Sequence, residues 1–467
     1  MTKPFHVNVV EQCHVFPPPD SIIPTISLPL TFLDIPWLLY SSNQTLLFFP
    51  KPSPKTSITT VITLLRQSLS LTLHHFHPLA GKLSFPPPPA DPFIFYTKGD
   101  SVTLNIAESN TNIKFLSGDH PRFVTHLCSL LPRLPVISML PHTHVVQVIP
   151  LLAIQITVFT DLGFSIGVTA QHATADERTL DQFMKCWASV SKSLLKKEPS
   201  FEFKSTPWFD RSIISDPNRL KETFLQKWWN RSNAYKISSL VETDHSIVQS
   251  TFSMTSSEIN MIKEQILAKC KRINEDPPLH LSPYVSACSY TWICLLKVQE
   301  TRDSKDGPLY LGFNAGGVTR LGYEIPSSYF GNCIAFGRCR AMKSALLCDD
   351  GIVFAAKSLG KEIKRLDRDV LGGSDRWICN WQELNVRVLG SPKVDSYGLD
   401  FGWGKVEKVE KMTSDHHHDH QGRVNVVSLT GSRGLSGGIE IGVVLSWEKM
   451  GAFTSVFNGG LMELAGE

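Results

Sequence analysis

Between Ile154 and Thr169 apolar and polar positions alternate with a period of two. Ile154, Ile156 and Val158 stand against Gln155 and Thr157, and Phe164, Ile166 and Val168 stand against Ser165, Gly167 and Thr169. Such alternation marks strands. Thr160-Asp161-Leu162-Gly163, between the two runs, tolerates turn angles, so the pattern predicts a hairpin. After Asp176 the period changes: Leu180, Phe183, Met184, Trp187 and Leu194 recur at helical spacing. The segment Gln171-His172-Ala173-Thr174-Ala175-Asp176-Glu177-Arg178 therefore lies where a strand ends and a helix begins.

Residues 6–16 alternate loosely and read as a strand ahead of Pro17-Pro18-Pro19. Ile58, Val61, Ile62, Leu65, Leu69 and Phe76 form a helical stripe bounded by Pro54 and Pro78, and Phe93-Ile94-Phe95-Tyr96 reads as a buried strand after a proline-rich loop. From about Glu198 to Lys236 the regular pattern lapses, with Pro199, Pro207 and Pro217 among mixed charges, as in a surface crossover between domains. The second half opens with a strand at Ser250, and Thr255-Ser256-Ser257-Glu258 then starts a helix carrying Ile259, Ile262 and Ile266. Ser282-Pro283 starts another helix. Strands follow at Leu309–Phe313 and Ile439–Trp447, with helical patterns near Ala341–Leu366 and Met450–Leu464. Strands and helices mix in both halves without a fixed repeat, which predicts an α/β protein with two sheets. The expected division is an N-terminal domain over 1–197, a crossover over 198–236 and a C-terminal domain over 237–467.

Composition narrows the function classes. A chain of 467 residues that is 42% hydrophobic and 19% charged, with 30 Gly and 30 Pro, is ordinary for a two-domain globular enzyme. The net charge of +3, with no basic run interleaved with aromatics, predicts no nucleic-acid partner. No apolar run is long enough to span a bilayer and the N-terminus lacks a signal-peptide core, so a cytosolic protein without a membrane partner is expected. The ten cysteines contain no C-x-x-C pair and read as reduced thiols. Nothing demands more than a monomer.

Several motifs fail on context. Gly434-Leu435-Ser436-Gly437-Gly438 matches the G-x-S-x-G elbow of serine hydrolases, but a strand pattern follows it where the elbow needs a helix. Asp400-Phe401-Gly402 mimics the kinase D-F-G without the accompanying kinase motifs. The His416-His417-His418-Asp419-His420 run reads as a solvated loop and not as a metal site. Cys333, among Tyr329, Phe330 and Ile334, reads as buried packing. His172 is better placed, because imidazole titrates near neutrality and a strand end fixes its direction. Spacing alone does not separate it from the other fifteen histidines.

The downstream segment Tyr397-Gly398-Leu399-Asp400-Phe401-Gly402-Trp403-Gly404-Lys405 changes that. Together with His172 to Asp176 it resembles the paired signatures H-x-x-x-D-G and D-F-G-W-G of the BAHD acyl-CoA-dependent acyltransferases of plants. Tyr329-Phe330-Gly331-Asn332-Cys333 resembles the motif of the clade that acylates anthocyanins and other phenolic glucosides. The likeness extends to Leu28–Trp37, Phe76–Leu83 and Trp208–Arg211, nearly the whole chain.

The resemblance implies two domains built like chloramphenicol acetyltransferase, each a mixed sheet with flanking helices, with an active-site channel at their interface. It implies acyl transfer from malonyl-CoA, a co-substrate, to a sugar hydroxyl of a phenolic glucoside, the 6-position being expected. Alternatives are a hydroxycinnamoyl donor, or a silent relative that binds CoA or a phenolic ligand. No resident cofactor or metal is implied. His172 takes the base role; Asp176 is structural and pairs with an arginine, for which Arg320 is the candidate. Asp400, Gly402 and Gly404 brace the channel, and the Trp403 indole N–H is a candidate oxyanion donor. Arg178 is the candidate cation for a malonyl carboxylate, and Lys263 and Lys269 for the CoA phosphates. Two positions depart from the pattern: Glu177 stands where the family has glycine, and Gly317-Val318-Thr319-Arg320 lacks one of the usual arginines.

Overall fold

The computed structural model describes residues 5–39, 42–52, 56–135, 137–139, 146–160, 163–198, 206–232, 246–299, 306–374, 377–378, 383–413, 425–434 and 436–466. The expected tip at Asp161 and Leu162, Pro54 and the His416–His420 run lie outside them. The fold is mixed α/β, with three sheets among the described residues instead of the two expected. A six-stranded sheet takes its order from Val7–Val15, Val102–Ser109, Leu152–Phe159, Gly163–Ala170, Asn43–Pro50 and Lys408–Thr413. A seven-stranded sheet belongs mainly to the second half, and five short strands between Ile26 and Pro150 form the third.

The hairpin forms as its alternation predicts, with Ile156 opposite Ile166 and Gly163 at φ 138° leaving the turn. Its polar face, however, is covered. Gln155 donates to the Ser129 carbonyl at 2.9 Å and Thr169 to that of Pro132 at 2.7 Å, while a Cβ on Gly167 would lie 2.2 Å from the Leu130 carbonyl oxygen. Alternation here separates an apolar layer from a hydrogen-bonded one, both buried. On the other side the Glu177–Lys196 helix buries Phe183, Met184 and Trp187 and packs against the Ile58–His75 helix, where the Trp187 indole donates to the Leu65 carbonyl.

The crossover is more ordered than its sequence suggests. Leu220–Ser232 is helical, its first N–H groups capped by Asp216, with Leu220, Phe224, Leu225 and Trp228 buried. Prolines and mixed charge hid this stripe, and tertiary packing decides it. The helical pattern near Ala341–Leu366 divides into the end of the Ile334–Met342 strand, a short helix and the Gly351–Arg368 helix.

The two large sheets exchange strands. Lys408–Thr413, from the second half, pairs with Asn43–Pro50, and Arg122-Phe123, from the first half, pairs with Ile247–Met254. Where the exchanged strands meet, Arg122 is fully buried and pairs with Glu410 at 2.5 Å; Gln249 donates to the other Glu410 oxygen, and Lys408 lies 2.6 Å from Asp119 and 3.5 Å from Glu440. Buried charges persist only when paired, so these groups fix the crossing. Arg122→Ala, which strands the Glu410 carboxylate, is expected to cost about 3–5 kcal/mol in a denaturant titration. Replacing both Arg122 and Glu410 with methionine should cost much less.

Candidate active site

The backbone turns at His172 under constraint from both sides. Gln171 N–H donates to the Leu151 carbonyl at 2.8 Å, the Thr174 N–H donates back to the Gln171 carbonyl at 3.0 Å, and the Gln171 side chain accepts from the His172 N–H. His172 is 6% exposed and its ring lies flat on Trp37, with centroids 4.0 Å apart and 6° between planes. Trp37 belongs to the Ile35–Leu39 3-10 turn, and its N–H donates to the Asp34 carbonyl at 3.0 Å. One Asp34 oxygen accepts from the Thr31 N–H and hydroxyl and pairs with Arg211 of the crossover. The other accepts from the backbone and side-chain N–H groups of Asn332, at 3.1 and 3.0 Å. The Asn332 amide then donates to the His172 carbonyl at 2.9 Å, and Arg211 reaches the Thr174 carbonyl. Hydrogen bonds from separate segments thus fix the backbone at His172, and Trp37 covers the ring itself.

Asp176 is the N-cap of the Glu177–Lys196 helix. One oxygen accepts from the Thr179 N–H at 3.0 Å, as a capping aspartate does, and the other accepts from the Cys333 N–H at 2.9 Å. The expected pairing with Arg320 is not made: Arg320 binds Asp367 at 2.9 Å and the Gly316 carbonyl. The guanidinium beside Asp176 is that of Arg178, at 3.8 Å. Arg178 is itself held by the carbonyls of Ser327 and Tyr329, at 2.7 and 2.8 Å, leaving part of its fork unused with its side chain 27% exposed. Cys333 is buried, and burial first, then the Asp176 charge, pushes its thiol up to about 12. It is no thiolate nucleophile.

The D-F-G-W-G segment lies elsewhere. Asp400 accepts from Lys192 at 2.6 Å and from the N–H groups of Gly402 and Gly404. Burial works to raise its carboxyl, but the Lys192 and Gly402 hydrogen bonds outweigh this and hold it below the usual range. Phe401 sets its ring edge-on to Trp187 and Phe49, and Ser191 donates to its carbonyl. Gly402 needs its glycine, with φ at 108° and Leu195 against it. Lys192 stands sixteen residues beyond Asp176 on one helix, about 24 Å at 1.5 Å per residue. Asp400 and Trp403 therefore do not join His172, and the oxyanion role expected for Trp403 does not fit its place against Phe164. Lys263 is exposed on the Ser256–Arg272 helix, and Lys269 is held by the Asp349 carbonyl and the Asp350 carboxylate. Neither is brought to the histidine by any described contact.

Asp34, Arg211 and Asn332 are the residues whose roles sequence reasoning missed. Each sits in a segment that the family likeness covers, but only the fold shows that they meet. Beside them lies a groove of about 530 Å³ between Leu28 to Phe32 and Phe209 to Ile214, with Arg211 in its wall.

The Transferase family model matches residues 5–459. Over the full length, the chain is similar to coumaroyl-CoA:anthocyanidin 3-O-glucoside-6''-O-coumaroyltransferase 2 of Arabidopsis thaliana, at 34% identity with 98% of each chain covered. It is also similar to the malonyl-coenzyme:anthocyanin 5-O-glucoside-6'''-O-malonyltransferase of Salvia splendens, at 33% identity over 98% of this chain and 96% of that one. Among solved structures, vinorine synthase shares the fold with a TM-score of 0.65, 18% identity and 96% of each chain covered.

Asp176→Ala removes a helix cap and strands the buried Cys333 N–H. It should destabilise by about 2–3 kcal/mol in chemical denaturation, while Asp176→Asn, which keeps an acceptor oxygen, should lose about half of that.

Proposed function

Since this chain belongs to the Transferase family, the BAHD acyl-CoA-dependent acyltransferases, we propose that it transfers a malonyl group from malonyl-CoA to the 6-hydroxyl of a sugar on a flavonoid, anthocyanin or other phenolic glucoside. The observation that carries this reading is His172, buried, stacked on Trp37 and clamped at its carbonyl by Asn332. As base, it takes the sugar hydroxyl proton while the oxygen attacks the thioester carbonyl carbon. The carbon–sulfur bond then breaks and the thiolate recovers the proton from the imidazolium. Holding both substrates against a fixed base supplies much of the acceleration by proximity. A buried Cys333 thiol supports direct transfer over an acylated cysteine.

Two features support the acceptor and donor. The groove beside Arg211, with Leu28, Leu30, Phe32 and Phe209 in its walls, suits a flat phenolic ring system. Arg178, six residues past His172 and fixed by two carbonyls, offers its remaining N–H groups to the malonyl carboxylate. The relatives include both malonyl and coumaroyl transferases, so the donor is the sharper question. A cytosolic monomer remains part of the proposal; among the described residues the cysteines are unpaired, and no helix is long and apolar enough to cross a membrane.

The test is product mass after incubation with phenolic glucosides and competing malonyl- and coumaroyl-CoA. A malonyl ester is expected, with His172→Ala slowing turnover by about a hundredfold to ten-thousandfold. Arg178→Ala should erode the malonyl preference. Predominant coumaroyl ester would overturn the donor assignment, and undiminished turnover by His172→Ala would overturn the base.

A further inference from the structure

Position 177 departs from the family signature, and its side chain makes a contact that glycine cannot. Glu177 Oε1 lies 2.9 Å from Lys411 Nζ, with the two side chains 28% and 14% exposed. Glu177 is the first residue of the helix that Asp176 caps, and Lys411 belongs to the strand that the second half of the chain inserts beside Asn43–Pro50. Lys411 also reaches the Thr45 hydroxyl at 3.4 Å. One turn along the helix, Asp181 feels the same lysine. Burial raises its carboxyl, Lys185 and Lys411 pull it down, and Glu177 pushes it up again. A half-shielded cation facing two carboxylates is bound more firmly than an exposed one, because less solvent screens it.

We propose that Glu177 and Lys411 form a positioning pair for the His172 turn, an inference that rests on the base role of His172. Asp176 is held by the Cys333 N–H and the next residue, Glu177, by Lys411, so the second half of the chain grips the helix start at two adjacent points. Glycine at the first helical position would leave that turn looser. The pair replaces backbone freedom with a strap to the inserted strand, and direction at His172 follows from it.

The experiment compares E177Q, E177G, K411M, the E177Q/K411M double variant and the charge swap E177K/K411E in the full chain. Two readouts are taken: amide hydrogen exchange over residues 171–180, with the Trp447–Ala465 helix as internal control, and kcat and KM for acyl-CoA. Each single variant should speed exchange over 171–180 by about tenfold and lower kcat by a similar factor, with KM changed by less than about twofold. The double variant should lose no more than either single one, and the swap should recover most of both signals. Wild-type exchange in E177G, independent multiplying effects, or equal acceleration in the control helix would overturn the proposal. Exchange is read without substrate. A chain that turns over no donor would therefore count against the acyltransfer reading, while the strap is still judged by exchange.

Discussion

One carboxylate joins the two halves of this protein at its candidate site. Asp176 caps a twenty-residue helix with one oxygen and accepts from the Cys333 N–H with the other. The start of the helix, the end of the strand that precedes it and the Tyr329–Cys333 segment are therefore one unit. Charge-assisted acceptance of two backbone donors is among the stronger interactions available to a buried carboxylate. Removing it would free the helix start and the opposing loop together. The Asp34 carboxylate repeats the device from the start of the chain, binding Arg211 from the crossover and Asn332 from the second half, whose amide then fixes the His172 carbonyl.

The same helix separates two motifs that read as partners along the chain. Its first turn carries Asp176, Glu177 and Arg178, and its last turns carry Ser191, Lys192 and Leu195, on which the Asp400–Gly404 turn is seated. From there the chain runs as Lys408–Thr413 back along Asn43–Pro50, placing Thr413 opposite Asn43, which itself pairs with Ala170. The D-F-G-W-G turn thus anchors a strand whose other end returns toward the histidine. Its rigidity matters because that strand is what the second half contributes to the first-half sheet.

How much of this was legible in the sequence depended on whether the signal was local. The hairpin, the helix after Asp176, the capping box at Thr255 and Glu258 and the strand after Gly438 all follow from periodicity and cap chemistry within a few residues. The likeness of three motifs identified the family and drew attention to His172. What could not be read was non-local. Arg320 was a reasonable partner for Asp176 by residue type, but the Gly351–Arg368 helix presents Asp367 to it instead. Trp403 was a reasonable indole donor, but one helix length lies between it and His172. The Leu220–Ser232 helix owes its order to packing against the Ile35–Leu39 turn and the rings of Phe85 and Trp377, contacts that no window of sequence contains. Strand exchange, with its buried Arg122 and Glu410 pair, left no local signal, because Glu410 stands in the charged run Lys405-Val406-Glu407-Lys408-Val409-Glu410-Lys411, which reads as solvated.

On the proposed reading the chemistry reduces to a fixed imidazole and a held guanidinium, with no covalent intermediate on the protein. That is the central claim, and mass spectrometry of the intact protein tests it most directly: mix enzyme with acyl-CoA in the absence of acceptor, quench within one turnover time and weigh the chain. Direct transfer predicts an unmodified mass and no burst of free CoA. A chain heavier by one acyl group, formed as fast as turnover, would contradict the account and return a nucleophile to the site.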